Sequence, residues 1–250
     1  MEKNITASLL PLGCGKSIYV SAAHTFGTDA VLLSNFAAPK RKDRALDIGT
    51  GCGIIPFLWL RDNPDLDVSA AEIQKEGADL CKMTAEKFGL PLKIFNIDIR
   101  ENGFEKDSFD LITCNPPYKT ETGGLVSPTT SRALQRHELT LTLCDLAAAA
   151  KSLLRFGGRL CVCIRTERFC ETVATFENAG LAVKRVRTVA KNPKSEPSLC
   201  LIEAKKGAKQ GVRIAPTLFT HNSDGTPTAE MAEIYKEIRE QSNLPQNGEK

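Results

Sequence analysis

A chain of 250 residues, 42% hydrophobic and 25% charged, suits one α/β domain with small additions. That composition excludes disordered, collagenous and coiled-coil chains, and no apolar run approaches the roughly 20 residues of a membrane-spanning helix. The net charge of +3 hides an asymmetry, because residues 1–150 carry 16 Lys and Arg against 19 Asp and Glu, whereas residues 151–250 carry 17 against 11.

Residues 1–12 hold too few apolar side chains for a signal-peptide core, so a cytoplasmic protein is expected. Arg44–Ile48 reads as a short apolar strand, ended by the glycines of Gly49-Thr50-Gly51-Cys52-Gly53. A helix runs from Ile54 to about Arg61, with Pro56 tolerated in its first turn. Asp67–Ile73 is the next strand and Gln74–Phe88 the next helix, stopped by Gly89 and Pro91; Leu92–Ile99 and Phe109–Cys114 are strands three and four. An apolar stripe including Leu139, Leu143 and Leu146 predicts a helix from about Arg132 to Leu154, terminated by Gly157-Gly158. Strand five is Arg159–Ile164, a helix covers Glu167–Asn178, and Leu181–Ala190 with Ser198–Ala204 make a closing antiparallel pair. Residues 205–228 read as a loop or hairpin extension, and Met231, Ile234, Tyr235 and Ile238 mark a C-terminal amphipathic helix.

Strands that are apolar almost throughout and separated by helices predict a parallel sheet covered on both faces. The expected fold is α/β: a doubly wound, mostly parallel, seven-stranded Rossmann-like sheet with an antiparallel last strand. One domain is expected over residues 1–242, comprising a cap (1–43), a core sheet (44–206) and an extension (207–242), with a frayed tail (243–250) after it. Nine cysteines without a CxxC pair predict reduced structural thiols. Cys161 and Cys163 face the same way, but no second pair or nearby His completes a ligand set, so no metal is expected.

The chemistry-bearing residues cluster at strand ends, where open α/β sheets bind ligands. The glycine-rich turn leads into a helix N-terminus and permits close backbone approach to a nucleoside cofactor. Glu72 closes the second strand, where a carboxylate accepts from ribose hydroxyls, and Asp98 closes the third, where it accepts from an adenine amine. Asp47 precedes the loop and faces a ligand ammonium group. Each acid alone is an ordinary strand-end residue, but three at successive strand ends form a pattern. Gly15-Lys16-Ser17 is no phosphate loop, because Leu10 stands where the first glycine is needed and no apolar strand precedes it.

Asn115-Pro116-Pro117-Tyr118 comes directly after strand four. Two prolines stiffen the segment. The Asn115 side-chain oxygen and Pro116 carbonyl then form a fixed acceptor pair suited to a planar –NH2, with the Tyr118 ring to stack against it. Otherwise the segment is a rigid turn with an incidental Asn.

In this order, LDIGTGCG, Glu72, Asp98 and NPPY resemble the class I S-adenosylmethionine-dependent methyltransferases that methylate amines. Phe26-Gly-Thr-Asp-Ala30, Arg136-His-Glu138 and the stretch Val186–Tyr235 narrow the resemblance to the bacterial tRNA1(Val) adenine-37 N6-methyltransferases. The resemblance implies that Gly49, Thr50, Gly51 and Gly53 cradle S-adenosylmethionine, Glu72 binds its ribose and Asp98 its adenine. Asp47, Thr28 and Asp29 would lie near its methionyl end. Asn115 and Pro116 would grip the target amine and Tyr118 stack the base, with Pro117, Arg136 and His137 facing RNA. A tRNA partner gives weight to the basic stretch Lys184–Arg213, where Lys184, Arg185 and Arg187 are expected to contact phosphates. A monomer is expected.

Three other readings compete. A protein-glutamine methyltransferase shares NPPY, but members of that family usually carry a helical domain ahead of the core, where about 25 residues precede FGTDA here. A DNA adenine methyltransferase would carry a target-recognition insert. A non-catalytic cofactor- or RNA-binding module has no need of an intact NPPY.

Overall fold

The computed structural model describes residues 6–13, 15–101, 103–116 and 141–235. The expectations for Pro117, Tyr118, Arg136, His137, Leu139 and Ile238, for the first part of the helix expected from about Arg132 (residues 132–140), and for the tail 243–250, lie outside these residues.

The chain opens with a hairpin, β1 (Ser8–Gly13) and β2 (Lys16–Val20), paired antiparallel. A strand therefore does precede Gly15-Lys16-Ser17, contrary to expectation. The element after it is another strand, whereas a phosphate loop requires a helix there. Helix α1 (Thr28–Ala37) then leads to the core elements β3 (Arg44–Ile48), α2 (Ile54–Asp62), β4 (Asp67–Glu72), α3 (Lys75–Phe88), β5 (Leu92–Asn96) and β6 (Phe109–Cys114). After them come α4 (Leu143–Leu153), β7 (Leu154–Arg165), α5 (Phe169–Asn178), β8 (Leu181–Ala190), β9 (Pro197–Lys206), β10 (Arg213–Phe219) and α6 (Ala229–Ile234).

The main sheet has the order β10-β8-β9-β7-β6-β3-β4-β5, and β9 alone runs antiparallel to its neighbours. Among the described residues it has eight strands, one more than expected, and the last of them along the chain, β10, is parallel. Pro216 in its middle and the polar, Gly- and Pro-punctuated residues around it hid β10. As an edge strand it needs only partial burial, it tolerates Pro216 where the register with β8 shifts between Ala215 and Leu218, and Ile214 is 71% exposed.

Alternation along β7 shows how the sheet divides two cores: Cys161 and Cys163 join the cluster containing α1 and α2, while Leu160, Val162 and Ile164 join the one containing α4 and α5. Helix α2 has residues 54–60 buried, as befits a helix apolar on every side.

Two helix boundaries differ from expectation. Thr142 and Asp145 form a reciprocal capping box, so α4 starts at Leu143. Gly157 and Gly158 do not stop α4, which ends at Leu153. They sit in an irregularity of β7, between the pairs Phe109–Leu154 and Leu111–Arg159. A side chain on Gly158 would meet the Arg155 and Phe109 carbonyls at 2.9 and 3.0 Å.

Candidate active site

The strand order reverses between β3 and β6. From β3 the chain steps outward to β4 and β5, then returns to the other side through β6. Ile48 pairs with Cys114 across this junction, so Gly49 and Asn115 leave the sheet side by side. Ligands of doubly wound sheets bind at this switch point.

The glycines of the loop divide by task. Gly53, at φ +88°, precedes the first turn of α2, and a Cβ there would lie 2.4 Å from Cys81 Sγ and 2.8 Å from the Phe57 ring. It is a packing glycine. Gly49 and Gly51 also have positive φ but face open space.

Glu72 is buried at the end of β4, its carboxylate accepting hydrogen bonds from the Gly51 and Gln74 amides at 2.8 Å each. The acid expected to meet a ribose thus also fixes the loop beside it. Gly77 in α3 lies under the same junction, where a Cβ would crowd Glu72 Cγ, the Gly51 carbonyl and His24 Cε1 at 3.0–3.1 Å. His24, for which the sequence carries no local signal, is buried here, and its amide donates to Ser21 Oγ while Ser21 donates to Glu76.

Asp98 lies two residues past the end of β5, in an ion pair with Arg100 at 2.5 Å. Hydrogen bonds from that guanidinium hold its carboxyl below the ordinary value. Asp98 borders a narrow slot of about 50 Å³ whose walls include Gly49, Ile73, Ile97 and Ile99. Isoleucine side chains beside a carboxylate have the chemistry of a rim for a purine's apolar face and exocyclic amine, although the slot as it stands is smaller than a purine.

Gly49 also borders an adjoining cavity of about 170 Å³, where Asp29, Asp47, Thr50 and Asn115 converge with Phe26. Asn115 Nδ2 donates to Asp29 Oδ2 at 2.9 Å, an interaction that joins residues 86 apart in sequence. This bond fixes the amide's orientation. Gly27 makes room for the acid, since a Cβ there would stand 2.5 Å from Asp29 Oδ1. Pro116 is buried immediately after Asn115. Thr28 does not join its neighbour Asp29 in this cavity but lines a separate cleft.

Asp47 is fully enclosed and accepts a 2.6 Å hydrogen bond from Thr113, another residue that no sequence motif marks. Burial pushes its carboxyl up to about 7, only partly opposed by the Thr113 hydrogen bond. The Thr50 hydroxyl is buried close by yet reaches no partner at hydrogen-bonding geometry. A buried hydroxyl beside a costly buried acid, with two glycines open to space, fits a polar cationic ligand.

The folded chain binds the Asp47 proton more tightly than the unfolded chain. This group's stabilising contribution is therefore complete below the ordinary value of 3.8 and is lost as pH rises towards 7. Asp47→Asn should gain melting temperature over the parent between pH 5 and pH 7 in the ligand-free protein; a difference independent of pH would contradict this.

Lys184, Arg185 and Arg187 do not form the free cationic surface expected of them. Lys184 Nζ donates to the carbonyls of Lys209 and Gly211 at 3.0 and 2.6 Å. Arg185 stacks 3.8 Å over Phe36 and pairs with Glu203 at 2.9 Å. Arg187 grips Glu230 through both terminal nitrogens at 2.6 and 2.7 Å. These cations fasten β8 to α1, to the lead-in of β10 and to α6. Among the described residues, no group of three or more His, Cys, Asp or Glu is arranged to hold a metal, and no helix is long and apolar enough to cross a membrane.

The family model described as "methyltransferase small domain" matches residues 16–194. The chain is 31% identical over 183 residues to a tRNA1(Val) (adenine(37)-N6)-methyltransferase of Parabacteroides distasonis, covering 71% of this chain and 75% of that one. A protein of the same name from Bacteroides thetaiotaomicron is 28% identical over 226 residues, covering 85% and 87%. Among solved structures, a predicted O-methyltransferase from Agrobacterium tumefaciens superposes with a TM-score of 0.68 at 18% identity, covering 84% of this chain and 97% of its own, a likeness of fold alone.

Proposed function

Because the chain belongs to the methyltransferase small-domain family and is an S-adenosylmethionine-dependent methyltransferase, we propose that it methylates the exocyclic N6 amine of an adenine in tRNA, at position 37 of tRNA1(Val). The observation that carries this reading is the Asn115 amide, held by Asp29 where β6 ends beside the glycine loop. Relatives named for the same reaction support the choice of base and RNA.

S-adenosylmethionine, when bound, supplies an electrophilic methyl group on a sulfonium sulfur. Glu72 and the Gly49–Gly51 backbone are proposed to hold its ribose and methionyl ends, and the Asp98 slot its adenine. A cationic group near Asp47 favours the ionised carboxylate, offsetting part of the burial cost.

An adenine amine is a poor nucleophile because its lone pair conjugates with the ring. The Asn115 Oδ1 and Pro116 carbonyl are proposed to accept its two hydrogens, which localises the lone pair and aims it. As the nitrogen–carbon bond would form and the methyl–sulfur bond break, positive charge grows on nitrogen, the same two dipoles stabilise it without reorganising, and one amine proton then leaves to water. Holding the nitrogen in line for attack contributes of order 7–11 kcal/mol. Tyr118, in the same motif, is proposed to stack the turned-out base, which offsets ~1–3 kcal/mol of unstacking.

Asp29 acts through Asn115 as a positioning residue. Asp29→Ala frees the amide to rotate and should lower kcat about tenfold, whereas Asp29→Asn, whose side-chain oxygen still accepts from Asn115 Nδ2, should recover most of the loss. Equal kcat in the two variants would remove the positioning role.

Deletion of the gene tests the function itself. Nucleoside mass spectrometry of total tRNA should show N6-methyladenosine missing from one tRNA species, and an unchanged tRNA profile would refute the proposal.

A further inference from the structure

Beside the active site, on the same edge of the sheet, lies a second cavity of about 440 Å³. Strands β8 and β10 run parallel to β6 and β3, and their last residues, Ala190 and Phe219, are paired. Their carboxyl ends therefore open on the edge that carries Asn115. The N-terminus of α1 separates the two cavities: Thr28 lines the second and Asp29 holds Asn115 in the first.

The lining has two parts. Leu32, Val189, Leu199 and Met231 make an apolar floor, and Lys191, with its side chain exposed, stands at the rim with His221. The rim is prearranged. The Lys191 carbonyl accepts from the His221 amide at 2.8 Å and from the Thr220 hydroxyl at 3.2 Å, which locks the turn after β8 to the turn after β10.

This bonding also fixes the imidazole. The Thr220 hydroxyl lies 3.2 Å from the Lys191 carbonyl and 2.8 Å from His221 Nδ1, a contact that holds the ring at the rim whichever of the two atoms donates. One cation, one imidazole and an apolar floor, in a volume within the usual range of about 300–1,000 Å³ for small-ligand sites, match a single nucleotide. Its phosphate meets the ammonium, its base lies on the floor, and one of its polar groups hydrogen-bonds His221 Nε2.

We infer that this cavity is an RNA subsite that holds the nucleotide next to the methylated adenine, with Lys191 contacting its phosphate and His221 hydrogen-bonding to it. The inference rests on the proposed tRNA substrate. It accounts for binding without the three cations that the fold itself uses.

Steady-state methylation of tRNA, with cofactor affinity measured separately, tests it. Lys191→Ala should raise KM for tRNA at least about fivefold, change kcat at saturating tRNA by less than about twofold, and reduce the salt slope by about one. His221→Ala should raise KM similarly, and cofactor affinity should stay unchanged in both as a check on folding. If the parent enzyme methylates tRNA but both variants keep its KM and salt slope, the subsite is overturned and the proposed function stands. If the parent enzyme methylates no tRNA, both fall.

Discussion

Asn115→Ala should lower methyl transfer at least about a hundredfold while changing S-adenosylmethionine affinity by no more than a few-fold, because a preorganised acceptor for developing charge contributes ~2.7–4 kcal/mol. The split between the two readouts arises from the site's layout. Asn115 leaves β6, its amide is bound to Asp29, and the loop and Glu72 proposed to hold the cofactor are fixed by their own hydrogen bonds. Isothermal titration with the cofactor and single-turnover methylation separate the terms. Equal losses in both would mean that Asn115 belongs to the cofactor pocket and does not serve as the amine's acceptor.

Glu72→Gln should weaken S-adenosylmethionine binding by a factor on the order of a hundred, with a smaller change in the rate at saturating cofactor. The carboxylate takes one backbone amide on each oxygen, and a charged acceptor makes each bond worth ~1.5–3 kcal/mol. An amide side chain of nearly the same shape offers one oxygen and one –NH2, so either the Gly51 or the Gln74 N–H must face a donor. The loop loses an anchor, and the ribose proposed to bind there loses an acceptor. Retention of parental affinity in Glu72→Gln would show that neither loss matters to binding.

The parallel strands were legible because burial on both faces demands apolar runs: β3 and β6 read directly from Arg44–Ile48 and Phe109–Cys114. Strand β10 was not, since Pro216 interrupts it and its polar flanks read as a loop, and the β1–β2 hairpin pairs outside the main sheet and needs little apolar length. Gly157-Gly158 carries the composition of a helix stop, yet close approach of the Arg155 and Phe109 carbonyls explains at least Gly158. Long-range partners lie beyond any local signal. The Asp29–Asn115 bond spans 86 positions, Thr113 meets Asp47 from the neighbouring strand, and the partners of Arg185 and Arg187 come from other elements. A charge run in sequence therefore read as a surface, while in the fold much of it is fastening.

The central claim is that the Asn115-led acceptor pair delivers an adenine amine of tRNA for methylation. Its most direct measurement is the position of label after purified enzyme transfers an isotopically marked methyl group to tRNA isolated from the deletion strain. Nucleoside digestion and mass spectrometry should find the label in N6-methyladenosine, at about one methyl per acceptor tRNA, and none with Asn115→Ala. Label on ribose oxygen, on ring carbon or on guanine would contradict the account.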